Sequence, residues 1–314
     1  MSLEPKEFSN LAALMKAIPD EQAAVDHFTA IRWKNGEFCP YCGGTKVYHF
    51  ADKRTHKCAD KDCHQRFSIK VGTVFEDSKL GLRLWMLAVW YVSSHKKSIA
   101  STQLAKDLGV TQKTAWFMMH RLRHAARTRS FNRPLRGTVE ADEAFFGGKD
   151  KNQHADRRGL KKKAIVVGML ERGGELRARI VDHLREAADV VAIHVQPGAN
   201  LMTDEYTGYK RLRHDYEHGF VAHSRGEYVK YPKASKSYDT EWGPLVHVNS
   251  IEGYWSQLKR QIYGIHHWVS AKHLGRYIDE SVWRYNRRDV GEAFRFNELL
   301  KITSGRLTYS DLIA

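Results

Sequence analysis

The sequence predicts a multidomain α+β chain in which a small metal-binding ribbon and a helical segment precede a larger domain with a mixed sheet flanked by helices. Three observations lead to this prediction. All 4 cysteines fall in the segment 39–63, the hydrophobic period lengthens from two to 3.6 residues near position 80, and acidic residues follow strand-like runs in the second half. A length of 314 residues is enough for two or three domains.

The composition restricts the class of protein. Lys and Arg number 51 against 36 Asp and Glu, so the formal net charge is +15, which favours a polyanionic partner without distinguishing DNA, RNA and anionic lipid. A hydrophobic content of 42% is sufficient for globular cores. The longest apolar run, 84–92, is too short to span a membrane, and the start MSLEPKEFSN lacks the pattern of a secretory signal. We therefore expect a cytoplasmic protein with no membrane partner.

The cysteines form two short pairs with the spacing C-x2-C-x15-C-x4-C. They are Cys39, Cys42, Cys58 and Cys63. This spacing is typical of four thiolates around one tetrahedral Zn²⁺, and four protein ligands leave no open position, so the ion is expected to be structural. Two disulfides are the alternative, but they need an oxidising compartment. A second alternative replaces one cysteine by His56 or His64. The predicted ribbon has strands at 46–50 and 66–71.

A helix-turn-helix is predicted next. Leu80, Leu84, Leu87 and Tyr91 recur at helical spacing and predict one apolar face of a helix. The segment 98–116 then reads as a helix, a turn around Gly109 and a second helix capped by Thr111.

Basic and polar residues of this region are candidate DNA contacts. Near the start of the second helix, where side chains meet base edges or phosphates, these are Gln112, Lys113 and Trp116. In the basic segment that follows they are Arg121, Arg127 and Arg129. A three-helix packing unit with a solvated basic face is the alternative.

The second half has the predicted order β-β-β-α-β-…-α. Strand 137–148 carries carboxylates, strands 163–170 and 175–181 are joined by a hairpin, and helix 187–194 precedes a short strand that ends at Asp204. A later helix begins within 246–260. Acidic residues are thus predicted at two strand ends and at one helix start.

Carboxylates that converge from two strands and a facing helix are suited to a pair of Mg²⁺ ions for phosphodiester chemistry. Asp142 is the first predicted ligand. Glu140 on the same strand face is held in reserve, and Glu143 points to the other face. Glu252 and Lys259 share a helix face, and the lysine is expected to contact a phosphate.

Each acidic residue also has a simpler interpretation. Asp142 and Asp204 can be solvated turn residues. Asn249 and Glu252 fit a capping box, in which Asn249 caps the helix and Glu252 bonds back to its start.

Taken together, these motifs resemble a known family. The cysteine ribbon, the helix-turn-helix and the segments EADEAFFGGK, LMTDEYTGY and HVNSIEGYWSQLKR are similar to those of bacterial insertion-sequence transposases of the ISXO-like group, which is related to eukaryotic Merlin elements. The resemblance implies an RNase H-like catalytic core with a DDE-type metal triad. Asp142 and Asp204 match its first two positions. For the third, Glu252 ranks first and Asn249 second.

The resemblance further implies a DNA transposase that binds the terminal inverted repeats of its element and catalyses hydrolysis and strand transfer with Mg²⁺ or Mn²⁺. The partners would be double-stranded DNA at element ends and target, a homodimer or larger assembly would hold both ends, and the bacterial protein would associate with the nucleoid. A basic loop, 149–163, is an expected DNA contact through Lys161, Lys162 and Lys163, unless it is merely solvated. A DNA-binding regulator or inactive domesticated relative, and an RNase H-like nuclease that does not join DNA, are the alternatives.

The sequence therefore predicts six segments. They are an N-terminal helical segment (1–36), the zinc ribbon (37–72), the helix-turn-helix domain (78–128), a basic linker (129–136), the catalytic domain (137–289) and a C-terminal tail (290–314).

Overall fold

The computed structural model describes residues 8–127, 133–147, 163–231 and 244–314. The chain divides into two compact units. The ribbon unit consists of Met1–Arg127 together with Arg287–Ala314, and the sheet unit consists of Thr128–Asn286. None of the helices in the described parts of the chain is long and apolar enough to cross a membrane.

The ribbon unit begins with two capped helices and a small antiparallel sheet. The helices are α1 (Leu11–Ala17) and α2 (Glu21–Arg32), and the strands are β1 (Val47–His49), β2 (Thr55–Cys58) and β3 (Arg66–Ser68) in the order β1-β2-β3. Asn10 and Asp20 cap the two helices by accepting from the backbone N–H groups of Ala13 and Ala23. The central strand β2, which carries Cys58, was not among the predicted strands.

Helix α3 (Leu82–Ser94) lies in the predicted place, but its predicted apolar face is wrong. Leu84, Leu87 and Tyr91 stay partly exposed. The buried side chains include Leu82, Trp85, Met86, Val89 and Trp90. Helices α2, α4, α5 and α9 all pack against α3, so the large tryptophans are buried on a face that the leucine spacing does not mark. The helix also starts on a remote carboxylate, because Glu21 accepts from the backbone N–H groups of Leu82 and Arg83 at 2.6 and 2.9 Å.

Helices α4 (Ser101–Leu108) and α5 (Gln112–Ala126) are joined by a tight turn at the predicted position. Gly109 ends α4 in the left-handed conformation with φ +65°, which glycine adopts without a steric cost. Thr111 caps α5 by accepting from the N–H of Thr114 at 3.2 Å.

The C-terminal segment belongs to the ribbon unit. It forms α9 (Glu292–Lys301) and α10 (Tyr309–Ile313), and α9 packs against α2 and α3 through Phe296, Leu299 and Leu300. His27 on α2 also contacts Asn297 at 2.9 Å.

The sheet unit contains a five-stranded mixed sheet. Its strands are β4 (Thr138–Phe146), β5 (Ala164–Glu171), β6 (Leu176–Val181), β7 (Asn200–Thr203) and β8 (Glu217–Phe220), in the order β6-β5-β4-β7-β8. β4, β5 and β6 form an antiparallel meander, whereas β7 and β8 run parallel to β4. This arrangement is consistent with an RNase H-like core.

Helices cover both faces of this sheet. Helices α7 (Asn249–Lys259) and α8 (Ala271–Tyr285) pack on one face, with a π-helical segment, Arg260–Ile265, between them. Helix α6 (Ala187–His194) and the 3₁₀ segment Thr207–His214 pack on the other. Side chains of β4 alternate between the two apolar layers, so this central strand presents groups to both sets of helices.

Candidate active site and zinc centre

The four cysteines of the ribbon form one compact cluster. Their sulfur atoms all lie within 4.8 Å of one another, and the Sγ–Sγ distance is 3.8 Å for Cys39–Cys63 and 3.5 Å for Cys42–Cys58. Four sulfurs bound to a tetrahedral Zn²⁺ at about 2.3 Å stand about 3.8 Å apart. The cluster therefore fits a structural zinc ion.

The backbone around the first cysteine pair is shaped for this cluster. The N–H of Gly44 points to Cys42 Sγ at 3.4 Å, and Gly43 adopts a left-handed φ of +77°. All four cysteines are free thiols, so the disulfide alternative is not supported. Among the residues that the structure describes, no histidine joins the cluster, and His56 instead packs against Trp33 and Phe67.

Strand β4 carries three acidic residues that face different neighbours. They lie inside the strand and not at its end as predicted, because pairing with β5 continues to Phe146. Glu140 and Asp142 face α7, as the alternation along the strand predicts. Glu143 faces the opposite side, where it accepts a 2.9 Å hydrogen bond from the buried hydroxyl of Tyr209. Burial, with the nearby Asp204 as a second cause, raises the pKa of Glu143 to about 7.

Asp142 lies on β4, and Asp204 directly follows β7, the parallel neighbour of β4. The register of β4 and β7 pairs Glu140 with Met202, and each aspartate follows its paired residue by two positions. Asp142 Oδ2 accepts from the indole N–H of Trp255 at 2.9 Å, and Asp204 Oδ1 accepts from the N–H of Tyr206 at 2.9 Å. Both carboxylates thus have one oxygen fixed by a donor.

The predicted acidic residues act on one another electrostatically. Burial raises the pKa of Asp142 to about 6, and the negative charges of Asp204 and Glu252 add to this rise. Burial also raises the pKa of Asp204, against the opposing influences of the N–H of Tyr206 and of His223. Mutual repulsion of this kind is relieved by a divalent cation, and carboxylate oxygens are the ligands that Mg²⁺ prefers. Within the described residues, the cysteine cluster is the one group of three or more such side chains that is close enough to hold a metal ion, and the acidic residues form no group of this kind.

The first turn of α7 carries both candidates for the third ligand. The helix begins at Asn249 with Val248 as its N-cap, and no side chain of this segment caps it, so the capping-box interpretation is wrong. Glu252 is exposed and lies 3.5 Å from Nδ1 of His223. Asn249 is exposed one turn earlier, and Lys259 is exposed at the end of the helix. Glu252 is the candidate whose charge affects Asp142.

The candidate DNA contacts differ in exposure. Gln112 and Lys113 are exposed on the first turn of α5; the amide of Gln112 donates to Ser101 Oγ at 2.9 Å, and Lys113 Nζ lies 5.0 Å from the ring centre of Tyr309. Trp116 is partly exposed and packs on His120.

One predicted DNA contact is not supported. Arg121 is 6% exposed, and its guanidinium donates to the backbone carbonyls of Val74 and Glu76, so it stabilises the ribbon unit from inside. Arg127 and Lys163 are exposed. Arg129, Lys161 and Lys162 lie outside the described residues.

Three residues at the site were not predicted from the sequence. Trp255, Tyr209 and Arg172 were not among the candidate site residues. Each acts through a partner that is distant in the chain, for example 113 positions away for Trp255 and Asp142. No local sequence signal reports such a contact.

Comparisons with known proteins agree with this architecture. Residues 134–286 match the family model of the ISXO2-like transposase domain, and residues 19–66 match that of a transposase zinc-ribbon domain. The chain is 30% identical over 287 residues to an uncharacterized protein in transposable element ISH50 of Halobacterium salinarum, a match that covers 84% of this chain and 90% of the relative. No solved structure matches the chain.

Proposed function

Because the chain belongs to the family of ISXO2-like insertion-sequence transposases, we propose that it cuts the ends of its element and joins them to target DNA with Mg²⁺ or Mn²⁺. The observation that carries this proposal is the placement of three acidic residues. Asp142 lies on β4, Asp204 directly follows the parallel neighbour β7, and Glu252 lies on the facing helix α7. Burial raises the pKa of Asp142, and the charges of Asp204 and Glu252 add to this rise.

The roles of the residues follow from this placement. Asp142, Asp204 and Glu252 hold the metal ions, with Asn249 as the second candidate for the third position. Mg²⁺ held by these residues would supply Lewis-acid stabilisation of the attacking and leaving oxygens. Trp255 fixes one oxygen of Asp142 and so orients the other. Lys259, exposed at the end of α7, contacts a backbone phosphate of the DNA.

The ribbon unit is proposed to recognise the element ends. Its turn-linked helices α4 and α5 expose Gln112 and Lys113 where a recognition helix meets base edges. The net charge of +15 for the whole chain suits a polyanionic partner. Arg127 and Lys163 are proposed phosphate contacts, together with Arg129, Lys161 and Lys162. Since two ends must be held at once, a dimer or larger assembly on DNA is part of this proposal.

A strand-transfer assay tests the proposal. The protein is mixed with labelled oligonucleotides that copy the inverted repeats flanking its gene, with Mg²⁺, Mn²⁺ or a chelator, and Asp204→Asn serves as the inactive control. We expect joined products that depend on the metal and are absent with the variant.

Two other results of this assay would replace the proposed activity. Binding of the ends without cutting under any metal condition would indicate a DNA-binding relative. Nicking without joining would indicate an RNase H-like nuclease.

A further inference from the structure

Glu140 is a fully buried carboxylate that faces the start of α7. Its Oε2 accepts from the backbone N–H groups of Ser250 and Ile251 at 2.9 and 3.0 Å. Its Oε1 accepts from Ser250 Oγ at 3.0 Å and lies 3.2 Å from Nδ1 of His247. The first N–H groups of a helix have no partner within the helix, so Glu140 supplies from the sheet the cap that Val248 does not provide.

Arg172 completes this arrangement from the β5–β6 hairpin. Its Nε donates to Glu140 Oε1 at 2.7 Å, while its two terminal nitrogens donate to the carbonyls of Leu245 and His247 at 2.7 and 3.0 Å. The N–H of Arg172 also donates to the carbonyl of Thr138 at 2.9 Å. One guanidinium therefore holds both the carboxylate and the chain that leads into α7.

The chemistry of this cluster suits a rigid support. A buried carboxylate is tolerated only when it is paired and hydrogen-bonded, and both oxygens of Glu140 meet that condition. A negative charge at a helix N-terminus is also favoured by the helix dipole. Loss of one partner would leave the remaining donors and acceptors buried without a hydrogen-bond partner. We therefore expect the contacts of this cluster to form and break as a unit.

The position of Glu140 links this support to the proposed metal site. It precedes Asp142 by two residues on the same face of β4, while its donors Ser250 and Ile251 directly precede Glu252. One turn later, Trp255 contacts Asp142. Helix α7 is thus fixed on β4 at two points, and Glu252 lies between them.

We propose that Glu140, together with Arg172, is a positioning residue that sets the first turn of α7 relative to Asp142 and so completes the metal site. This inference rests on the proposed function only in taking Asp142, Asp204 and Glu252 as the ligands of a metal site. Glu140 itself touches no reacting group, because both of its oxygens are used by α7 and Arg172.

Two variants and a matched control test this role in the full-length protein. Glu140→Gln keeps a carbonyl oxygen for the N–H groups of α7, but its amide cannot accept from Arg172. Arg172→Lys keeps the charge beside Glu140 and loses the contacts to Leu245 and His247. The control is Glu280→Gln, which also neutralises a fully buried glutamate paired with an arginine, Arg284, but on α8.

The first measurement is hydrogen–deuterium exchange, which needs neither metal nor activity. In both test variants, amides in the peptide 244–258 should exchange faster by about tenfold, as expected when one hydrogen bond is lost from a helix start. The control should leave exchange in this peptide as in the wild type.

The second measurement is the response to metal. Substitution of residues that orient metal ligands typically weakens metal affinity by about 10- to 100-fold. The Mn²⁺ or Mg²⁺ concentration for half-maximal cleavage should therefore rise by about that factor in the test variants. The metal-induced rise in unfolding temperature should shrink in parallel, with Asp142→Asn as the reference without this site. The Kd for DNA should stay within about twofold because the ribbon unit is unchanged.

The outcomes separate this inference from the proposed function. The positioning role would be overturned if both test variants showed the same hydrogen–deuterium exchange and the same metal response as Glu280→Gln. If Glu140→Gln does not fold, Arg172→Lys decides alone by the same criteria. A wild-type protein that cuts no DNA, while the test variants still loosen α7 and lose the metal-induced stabilisation, would overturn the proposed function and leave the positioning role in place.

Discussion

Asp142 is a buried carboxylate that accepts a hydrogen bond from the indole N–H of Trp255. Burial nevertheless makes the ionised form of Asp142 unfavourable. The pKa of about 6 lies above the ordinary value of 3.8, so the folded state binds this proton more tightly than the unfolded state does. The contribution of Asp142 to the free energy of unfolding therefore falls as pH rises from about 4 to about 6, and it remains lower above pH 6.

Asp142→Asn removes the unfavourable buried charge and keeps a carbonyl oxygen that accepts from Trp255. Without added metal at pH 7.5, we expect its free energy of unfolding to exceed that of the wild type by about 1–3 kcal/mol, at 1.36 kcal/mol per pKa unit. The same variant should lose cleavage while keeping its affinity for DNA. Denaturant unfolding and a gel-based cleavage assay check both parts. Unchanged cleavage would exclude Asp142 as a ligand.

The two candidates for the third ligand can be compared directly. Because the charge of Glu252 affects Asp142 and Asn249 carries none, we expect Glu252→Gln to lower the cleavage rate by about 10²-fold or more, and Asn249→Ala to lower it less. Single-turnover cleavage rates give the comparison. An inactive Asn249→Ala protein beside an active Glu252→Gln protein would reverse the order.

His218 makes the stability of the sheet unit depend on pH in the direction opposite to that of Asp142. Burial, with Arg213 nearby, lowers the pKa of His218 to about 4, and Nε2 lies 2.9 Å from the hydroxyl of Thr203. Stability from this group is complete above pH 6.5 and is lost as pH falls toward 4. His218→Gln should reduce the loss between pH 6.5 and pH 4 by on the order of 1–2 kcal/mol, after allowance for the partly exposed ring. Unfolding curves at several pH values measure this difference.

At the scale of elements, the close approach of α7 to the sheet depends on one glycine in β5. A Cβ at Gly168 would lie 2.6 Å from Cζ2 of Trp255 and 2.7 Å from Cδ1 of Ile251. Gly168→Ala should therefore destabilise the protein by about 1–3 kcal/mol through overpacking, and it should also raise the metal requirement for cleavage.

Gly275→Ala is the matched control. This glycine lies inside α8, and its added Cβ would meet only Ile180 at 3.7 Å, an ordinary contact. Alanine is favoured over glycine in a helix interior by about 1 kcal/mol, so this variant should be more stable than the wild type. Thermal unfolding compares the two, and equal changes would show that packing under α7 is not the cause.

The elements also show where sequence patterns suffice. Strand alternation placed Glu140 and Asp142 on one face of β4, and turn residues located the hairpin at Arg172 and the end of α4 at Gly109. Short polar strands such as β2 and β8 have no such pattern, because their pairing is decided by neighbouring strands. The apolar face of α3 was misjudged for a similar reason, since several helices surround it. The role of Glu140 depends on a contact across 110 positions, which no local pattern reveals.

At the scale of the whole molecule, zinc and the proposed catalytic metal lie in different units. All four cysteines belong to the ribbon unit, whereas Asp142, Asp204 and Glu252 belong to the sheet unit, which has its own apolar layers. Cys39→Ser should therefore release zinc, lower the unfolding temperature of the ribbon unit and weaken binding to element ends.

The sheet unit should keep its own transition in this variant, because its core contains none of the zinc ligands. Native mass spectrometry gives the metal content, and calorimetry separates the two transitions. Zinc content equal to that of the wild type would argue against the predicted ligand set.

Two helices of this protein, α3 and α7, begin on a glutamate from another element, Glu21 and Glu140 respectively. During synthesis the chain of β4 emerges long before Ser250, so the carboxylate of Glu140 has no helix to meet until 110 more residues have been added. Contacts of such long sequence separation slow folding, and an unmatched charge discourages early burial of β4. The proposed catalytic site is thus assembled late, after all five strands of the sheet have been synthesised.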